Sequence, residues 1–208
     1  MNAATQSLSF QGQAGAMEVV CDTPVDLALL GTAVIAHPHP LFGGTMQNKV
    51  VQTVARAFVQ CGWRAIRFNF RGVGASAGVY DEGQGEAADM LALIEQVAPT
   101  GPLALAGFSF GAFVTSHVVQ ALPPERRLDK LVLVGTAASR FAVAPIAPEL
   151  HDRTLVLHGE QDDTVPLASV MDWARPQSLP ITVIPGVEHF FHGQLPLLKS
   201  LVARHLRA

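Results

Sequence analysis

The chain is poor in the residues that would mark it as secreted, membrane-bound or nucleic-acid-binding. It holds two cysteines in 208 residues, Cys21 and Cys61, far apart in sequence. Two such thiols make no disulfide framework and read as free thiols in a reducing compartment. Charged residues are scarce at 15%, with a net charge of −3, and no basic run exceeds Arg126-Arg127. That excludes recognition of nucleic acid through a basic face. No apolar run approaches the roughly 18 residues of a membrane span. The opening MNAATQSLSFQGQAG has neither a basic start nor an apolar core. A signal peptide is therefore not expected, and the cytoplasm is the expected compartment.

What the chain has is apolar residues, 49% of the total. That suits a buried core and opposes disorder. Residues 7–10 and 16–20 read as a hairpin around a Gly12–Gly15 turn. Continuous apolar runs then follow at 32–36, 65–70, 103–107, 130–134, 154–157 and 181–184. Between them, helical spacing appears at 48–60, 86–97 and 112–122, with a last helix at 196–206. Strands alternating with helices give an α/β fold, and unbroken apolar strands imply a parallel sheet covered by helices on both faces. No repeat or linker interrupts the pattern, so residues 1–208 are read as a single domain.

Gly107-Phe-Ser109-Phe-Gly111 is a G-x-S-x-G between an apolar strand and an apolar helix. A nucleophile on that turn needs small neighbours two residues away, and the helix N-terminus beyond it favours an oxyanion. A serine needs a base, and the base needs an orienting group. On such a sheet the order is Ser, acid, His. After strand 154–157 comes His158-Gly-Glu-Gln-Asp162-Asp163, and after strand 181–184 comes Glu188-His189-Phe-Phe-His192. Ser109 and His189 are the candidate nucleophile and base. Asp162 and Asp163 both stand as the acid, and His192, three residues after His189, stands as the alternative base or else lines the site or faces solvent.

Acyl transfer also needs two donors for the developing oxyanion. One is the N–H of Phe110, the residue after the nucleophile. The other belongs in His37-Pro-His-Pro-Leu41-Phe42-Gly-Gly44, where Pro38 and Pro40 have no N–H and Leu41 is the expected donor. His37 and His39 lack the further convergent ligands of a zinc site, so no metal is expected. Gly72-Val-Gly74-Ala-Ser-Ala77 imitates a dinucleotide fingerprint. That fingerprint needs a helix at once and an acid ending the next strand. Residues 77–85 are Gly-rich and the next strand ends at Ser109, so no cofactor is expected.

Five blocks in order, HPHPLFGGTMQNK (37–49), FNFRGVGAS (68–76), GFSFGA (107–112), HGEQDDTVP (158–166) and GVEHFF (186–191), carry a resemblance. The chain resembles the α/β-hydrolase superfamily, most closely small bacterial serine hydrolases of the HPHP type, predicted to be esterases. The resemblance implies a central, mostly parallel eight-stranded sheet. It implies a Ser109–Asp162–His189 triad, since the H-G-x-x-D-x-x-V-P block puts the acid at Asp162. It implies oxyanion N–H groups near Leu41 and Phe110, and a scaffold role for the Asn69–Gly72 loop. Larger members carry a cap where this chain has only residues 137–153, so the chain resembles the lidless members.

The function so implied is carboxylic ester hydrolysis through an acyl-enzyme at Ser109, on small to medium esters. An apolar rim from Leu41, Phe42, Phe108, Phe110, Phe190 and Phe191 would suit a modest apolar acyl group, with Phe42, Phe108 and Phe190 as the substrate-binding set. Other acyl-transfer chemistries, thioester or peptide hydrolysis among them, use the same residues. A non-catalytic hydrolase-fold binding protein is the reading of another class. The expected partner is a small-molecule ester, with neither nucleic acid nor membrane; a homodimer covering the open site is compatible with the sequence.

Overall fold

The computed structural model describes residues 3–208; residues 1 and 2, where the stretch read for a leader begins, lie outside it. The chain opens with a hairpin of β1 (Ala3–Gly12) and β2 (Gly15–Pro24). Then follow β3 (Gly31–Ala36), α1 (Lys49–Gln60), β4 (Trp63–Phe68), α2 (Gln84–Val97), β5 (Leu103–Phe108) and α3 (Phe110–Ala121). The chain ends with β6 (Lys130–Val134), β7 (Thr154–Gly159), α4 (Leu167–Ala174), β8 (Ile181–Ile184) and α5 (Leu195–Arg207). The eight strands form one sheet in the order β1-β2-β4-β3-β5-β6-β7-β8. β1 and β2 are antiparallel to their neighbours, and the other six strands run parallel.

Local chemistry sets the boundaries. Asn48 caps α1, its side-chain oxygen accepting from the N–H groups of Val50 at 2.8 Å and Val51 at 3.4 Å. Gly62, at φ 85°, ends that helix in a conformation that favours glycine. The buried Glu86 carboxylate accepts from the N–H groups of Asp81 and Gly83, both at 2.9 Å, and starts α2 two residues before the apolar spacing does. Two features differ from the sequence expectation. β1 is long but almost wholly exposed, so apolar spacing marks only part of it. Helix α4 buries only Val170 and Ala174, too little to give a periodic signal.

Period-two alternation along β5 sorts the core into two layers. Leu103 and Leu105 face α2, α3 and α4. Ala104, Ala106 and Phe108 face α1 and α5, beside Val50, Val54, Leu198 and Val202. The sheet order reverses around β3, with β4 on one side and β5 on the other. Ligands bind beyond the strand C-termini at such a switch point. The turns after β3 and β5 both open there. No helix among the described residues is long and apolar enough to cross a membrane.

Asp89 on α2 ties three segments together behind that switch point. Its buried carboxylate meets Arg71 Nε at 2.8 Å and accepts from the Gln13 N–H of the hairpin turn at 2.7 Å. Removing the carboxylate leaves the Gln13 N–H without its acceptor and the Arg71 guanidinium with only the exposed Asp81, 3.7 Å away. Asp89→Ala is expected to lower unfolding stability by about 2–4 kcal/mol in urea titration. A loss below about 0.5 kcal/mol, the range of an ordinary surface substitution, would contradict that assignment.

Candidate active site

Ser109 sits between β5 and α3 at φ 56° and ψ −116°, a left-handed conformation for a residue with a side chain. Such a geometry costs about 1–3 kcal/mol and persists only where its surroundings enforce it. Here the turn leaves no room for side chains on either flank. A Cβ on Gly107 would lie 2.3 Å from the Gly111 carbonyl oxygen, and one on Gly111 would lie 2.5 Å from the carbonyl oxygens of Ala36 and His37. The Ser109 N–H donates to the Val134 carbonyl at 2.8 Å, pinning the turn to β6.

The side chain of Ser109 meets His189, with Oγ 3.0 Å from Nε2. Nδ1 of His189 lies 2.6 Å from Asp162 Oδ2. With Asp162 ionised, Nδ1 carries the proton and Nε2 is free to accept from the serine hydroxyl. Asp162 is itself fixed: its Oδ1 accepts from the N–H groups of Thr164 at 3.0 Å and Val165 at 2.7 Å. His158 backs the same carboxylate, its Nε2 lying 2.9 Å from the Val165 carbonyl and 3.5 Å from Asp162 Oδ2. Burial pushes the His158 pKa down, against the pull of Asp162.

The neighbours named in the sequence fall elsewhere. Asp163 is exposed and makes no contact with His189. His192 is exposed, with Nδ1 3.1 Å from Glu188 Oε1. The Glu188 carboxylate also accepts from the Phe190 N–H at 2.9 Å and the His192 N–H at 2.6 Å, closing the loop that presents His189. Gly135 lies against the imidazole; a Cβ there would be 3.1 Å from His189 Cε1.

The donors for an oxyanion come out differently from the sequence expectation. The Phe110 N–H opens α3 and finds no acceptor among the described residues, as expected of a first helical turn. Leu41 does not lie in the cleft. It is 67% exposed, and its N–H donates to His39 Nδ1 at 3.2 Å. The N–H groups of Phe42, Gly43 and Gly44 are likewise used, donating to carbonyls of His39 and Pro40 at 3.0–3.3 Å. His39 itself lines the cleft, and its N–H has no partner among the described residues. The loop thus turns its later donors inward and leaves the one between the two prolines.

The cleft above Ser109 has a volume of about 370 Å³. Phe42 and Phe190 line it, as expected, the former 76% exposed. Phe108 does not: it is 1% exposed, on the α1/α5 face of β5, and packs on the His189 ring at 4.9 Å. Phe191 also leaves the rim, being fully buried at φ 57°. The ring of Phe110 is buried against Phe113 and Phe141. Sequence reasoning missed His39, Arg140 and Phe141, all of which line the cleft. The last two come from the irregular segment after β6, which gives no periodic signal; the one signal that could have found His39 is that it holds the N–H between two prolines.

A Cβ on Gly74 would lie 2.4 Å from Glu18 Oε2 and 2.6 Å from Asn69 Nδ2, so the glycine serves packing against the scaffold. Asn69 in turn accepts from the Met46 N–H at 2.9 Å, below the cleft loop.

The fold and the Ser–His–Asp arrangement define an α/β serine hydrolase without a lid. Residues 39–146 match the family model described as serine aminopeptidase, S33. The chain is 34% identical to a lidless α/β serine hydrolase from Xanthomonas campestris, covering 100% of this chain and 95% of that one, with a TM-score of 0.88. It is 37% identical to an α/β serine hydrolase homologue from Coxiella burnetii, covering 97% of both chains at a TM-score of 0.81. An uncharacterized protein of Rickettsia prowazekii (strain Madrid E) is 31% identical over 170 residues, 76% of this chain and 71% of that protein. The chain belongs to this family of α/β hydrolases.

His37 supports the cleft loop from below. It is buried, its Nδ1 donating to the Pro38 carbonyl at 2.6 Å and its Nε2 accepting from the Phe70 N–H at 3.0 Å. Burial lowers its pKa from 6.5 to about 4, against the Pro38 hydrogen bond. A histidine held neutral in the fold binds more protons when unfolded, so its contribution is complete above its ordinary pKa and falls as pH drops toward the folded value. Wild-type stability is expected to decline between pH 6.5 and 4, with a share on the order of 3 kcal/mol absent from His37→Gln. Denaturant titrations across that range check this, and parallel pH curves for the two proteins would contradict it.

Proposed function

We propose that the protein is a serine carboxylesterase acting on small to medium esters through an acyl-enzyme on Ser109. The observation that carries the reading is the chain Ser109 Oγ–His189 Nε2–Asp162, at 3.0 and 2.6 Å, opening into an apolar-walled cleft. Ser109 Oγ attacks the ester carbonyl while His189 Nε2 takes its proton, and Asp162 stabilises the imidazolium. The Phe110 and His39 N–H groups would receive the oxyanion. His189 then gives its proton to the leaving alcohol. Water, activated by the same base, releases the acid in the second half. The aromatic rim suits an apolar acyl group, and the lack of a lid leaves the cleft open to alcohols of varied shape.

The name of the matched family model makes amino-terminal peptide cleavage the second reading. An aminopeptidase needs an acid to hold the substrate ammonium. No carboxylate lines this cleft, which has an arginine instead. That contrast favours ester over peptide.

A fluorophosphonate probe read by intact mass tests the nucleophile. One adduct is expected on the wild type, mapping to Ser109, and none on Ser109→Ala. A folded wild type that stays unlabelled would favour the non-catalytic binding protein. Asp162→Asn is expected to lower kcat on a p-nitrophenyl ester by about ten thousandfold, as loss of the orienting acid does elsewhere. Asp163→Asn should leave kcat within about twofold, a change worth less than half a kcal/mol. Equal losses in the two variants would contradict the assignment of the acid.

A further inference from the structure

The carboxylesterase reading leaves the arginine of the cleft unused. Arg140 lines it from the turn after β6, where its N–H donates to the Ala137 carbonyl at 3.3 Å. Its guanidinium makes no hydrogen bond and no ion pair among the described residues. By contrast, Arg67, Arg71, Arg127 and Arg175 all meet carboxylates. The acids of the chain, 17 in all, sit elsewhere. None of those acids lines the cleft. The charge is close enough to be felt there: the His39 pKa is lowered by burial and then by Arg140.

An arginine fork is matched in shape and charge by a carboxylate, which it holds through paired hydrogen bonds. The same cleft is lined by the aromatic side chains Phe141, Phe42 and Phe190, which suit the apolar part of a ligand. A cleft of about 370 Å³ has room for a short chain between the scissile ester and a second polar group. Resting on the carboxylesterase reading, we infer that the preferred substrates are esters bearing a free carboxylate, which Arg140 receives while Ser109 attacks the ester carbonyl. Arg140 is then a specificity-determining residue and takes no part in bond making. The carboxylate stands on the acyl side, as in a half-ester of a dicarboxylic acid, or on the alcohol side, as in an ester of a hydroxy acid.

Two pairs of esters decide between these arms. On the acyl side, p-nitrophenyl hydrogen glutarate is compared with the ester in which an isopropyl group replaces the carboxylate. On the alcohol side, (carboxymethyl)phenyl butyrate is compared with isobutylphenyl butyrate. At low ionic strength the wild type is expected to favour the anionic member of one pair by about two- to fivefold in kcat/KM, the range of one ion pair at an exposed residue. In Arg140→Gln that ratio is expected to fall to about one, and in Arg140→Glu below it. Arg140 holds no structural contact through its guanidinium, so the variants are expected to melt with the wild type. Hydrolysis of the neutral esters with no preference in either pair, or a preference that survives in Arg140→Gln, would overturn this inference alone. Failure of the wild type to hydrolyse any of the four esters would overturn the carboxylesterase reading and this inference with it.

Discussion

Ser109 is held at φ 56° between β5 and α3, and the site is arranged around that one backbone conformation. The tight turn lifts the hydroxyl out of the sheet and opens α3 immediately behind it, so that the Phe110 N–H is left without an acceptor among the described residues. Gly107 and Gly111 are required by contact with neighbouring backbone, and the Ser109 N–H is anchored on β6. The conformation is strained, and the parallel strands on either side supply the rigidity that maintains it.

The remaining groups reach the serine from separate loops over the same edge. β7 delivers Asp162, fixed by two N–H donors of its own turn, and the loop after β8 delivers His189, held between Asp162, the Phe108 ring and Gly135. The loop after β3 is supported by a neutral, buried His37 and by Asn69. Since each loop begins at the C-terminal end of a parallel strand, the sheet order fixes which side chains meet.

Much of this was legible in the sequence, and the misses have physical causes. Ser109, Asp162 and His189 follow strand runs whose apolar content is unambiguous, so their place at the sheet edge could be read before any geometry. The choice between Asp162 and Asp163 needed the resemblance, because adjacent residues share every local signal; in the structure one is buried on His189 and the other faces solvent. Leu41 was expected as a donor because the reading passed beyond both prolines. The loop instead folds the Leu41 N–H back onto the His39 ring. Phe108 was placed in the rim although alternation already grouped it with Ala104 and Ala106, on the face that packs α1 and α5. Arg140 and Phe141 lie in a stretch without periodicity, where only the fold brings them to the cleft.

The central claim is that chemistry passes through an acyl group on Ser109. Partitioning between water and methanol tests it most directly, using esters of one acid with different leaving alcohols. A common acyl-enzyme predicts the same ratio of methyl ester to free acid for every leaving group, since the alcohol has departed before the nucleophiles compete. A ratio that changes with the leaving group would mean that water attacks the substrate itself, and would contradict the account.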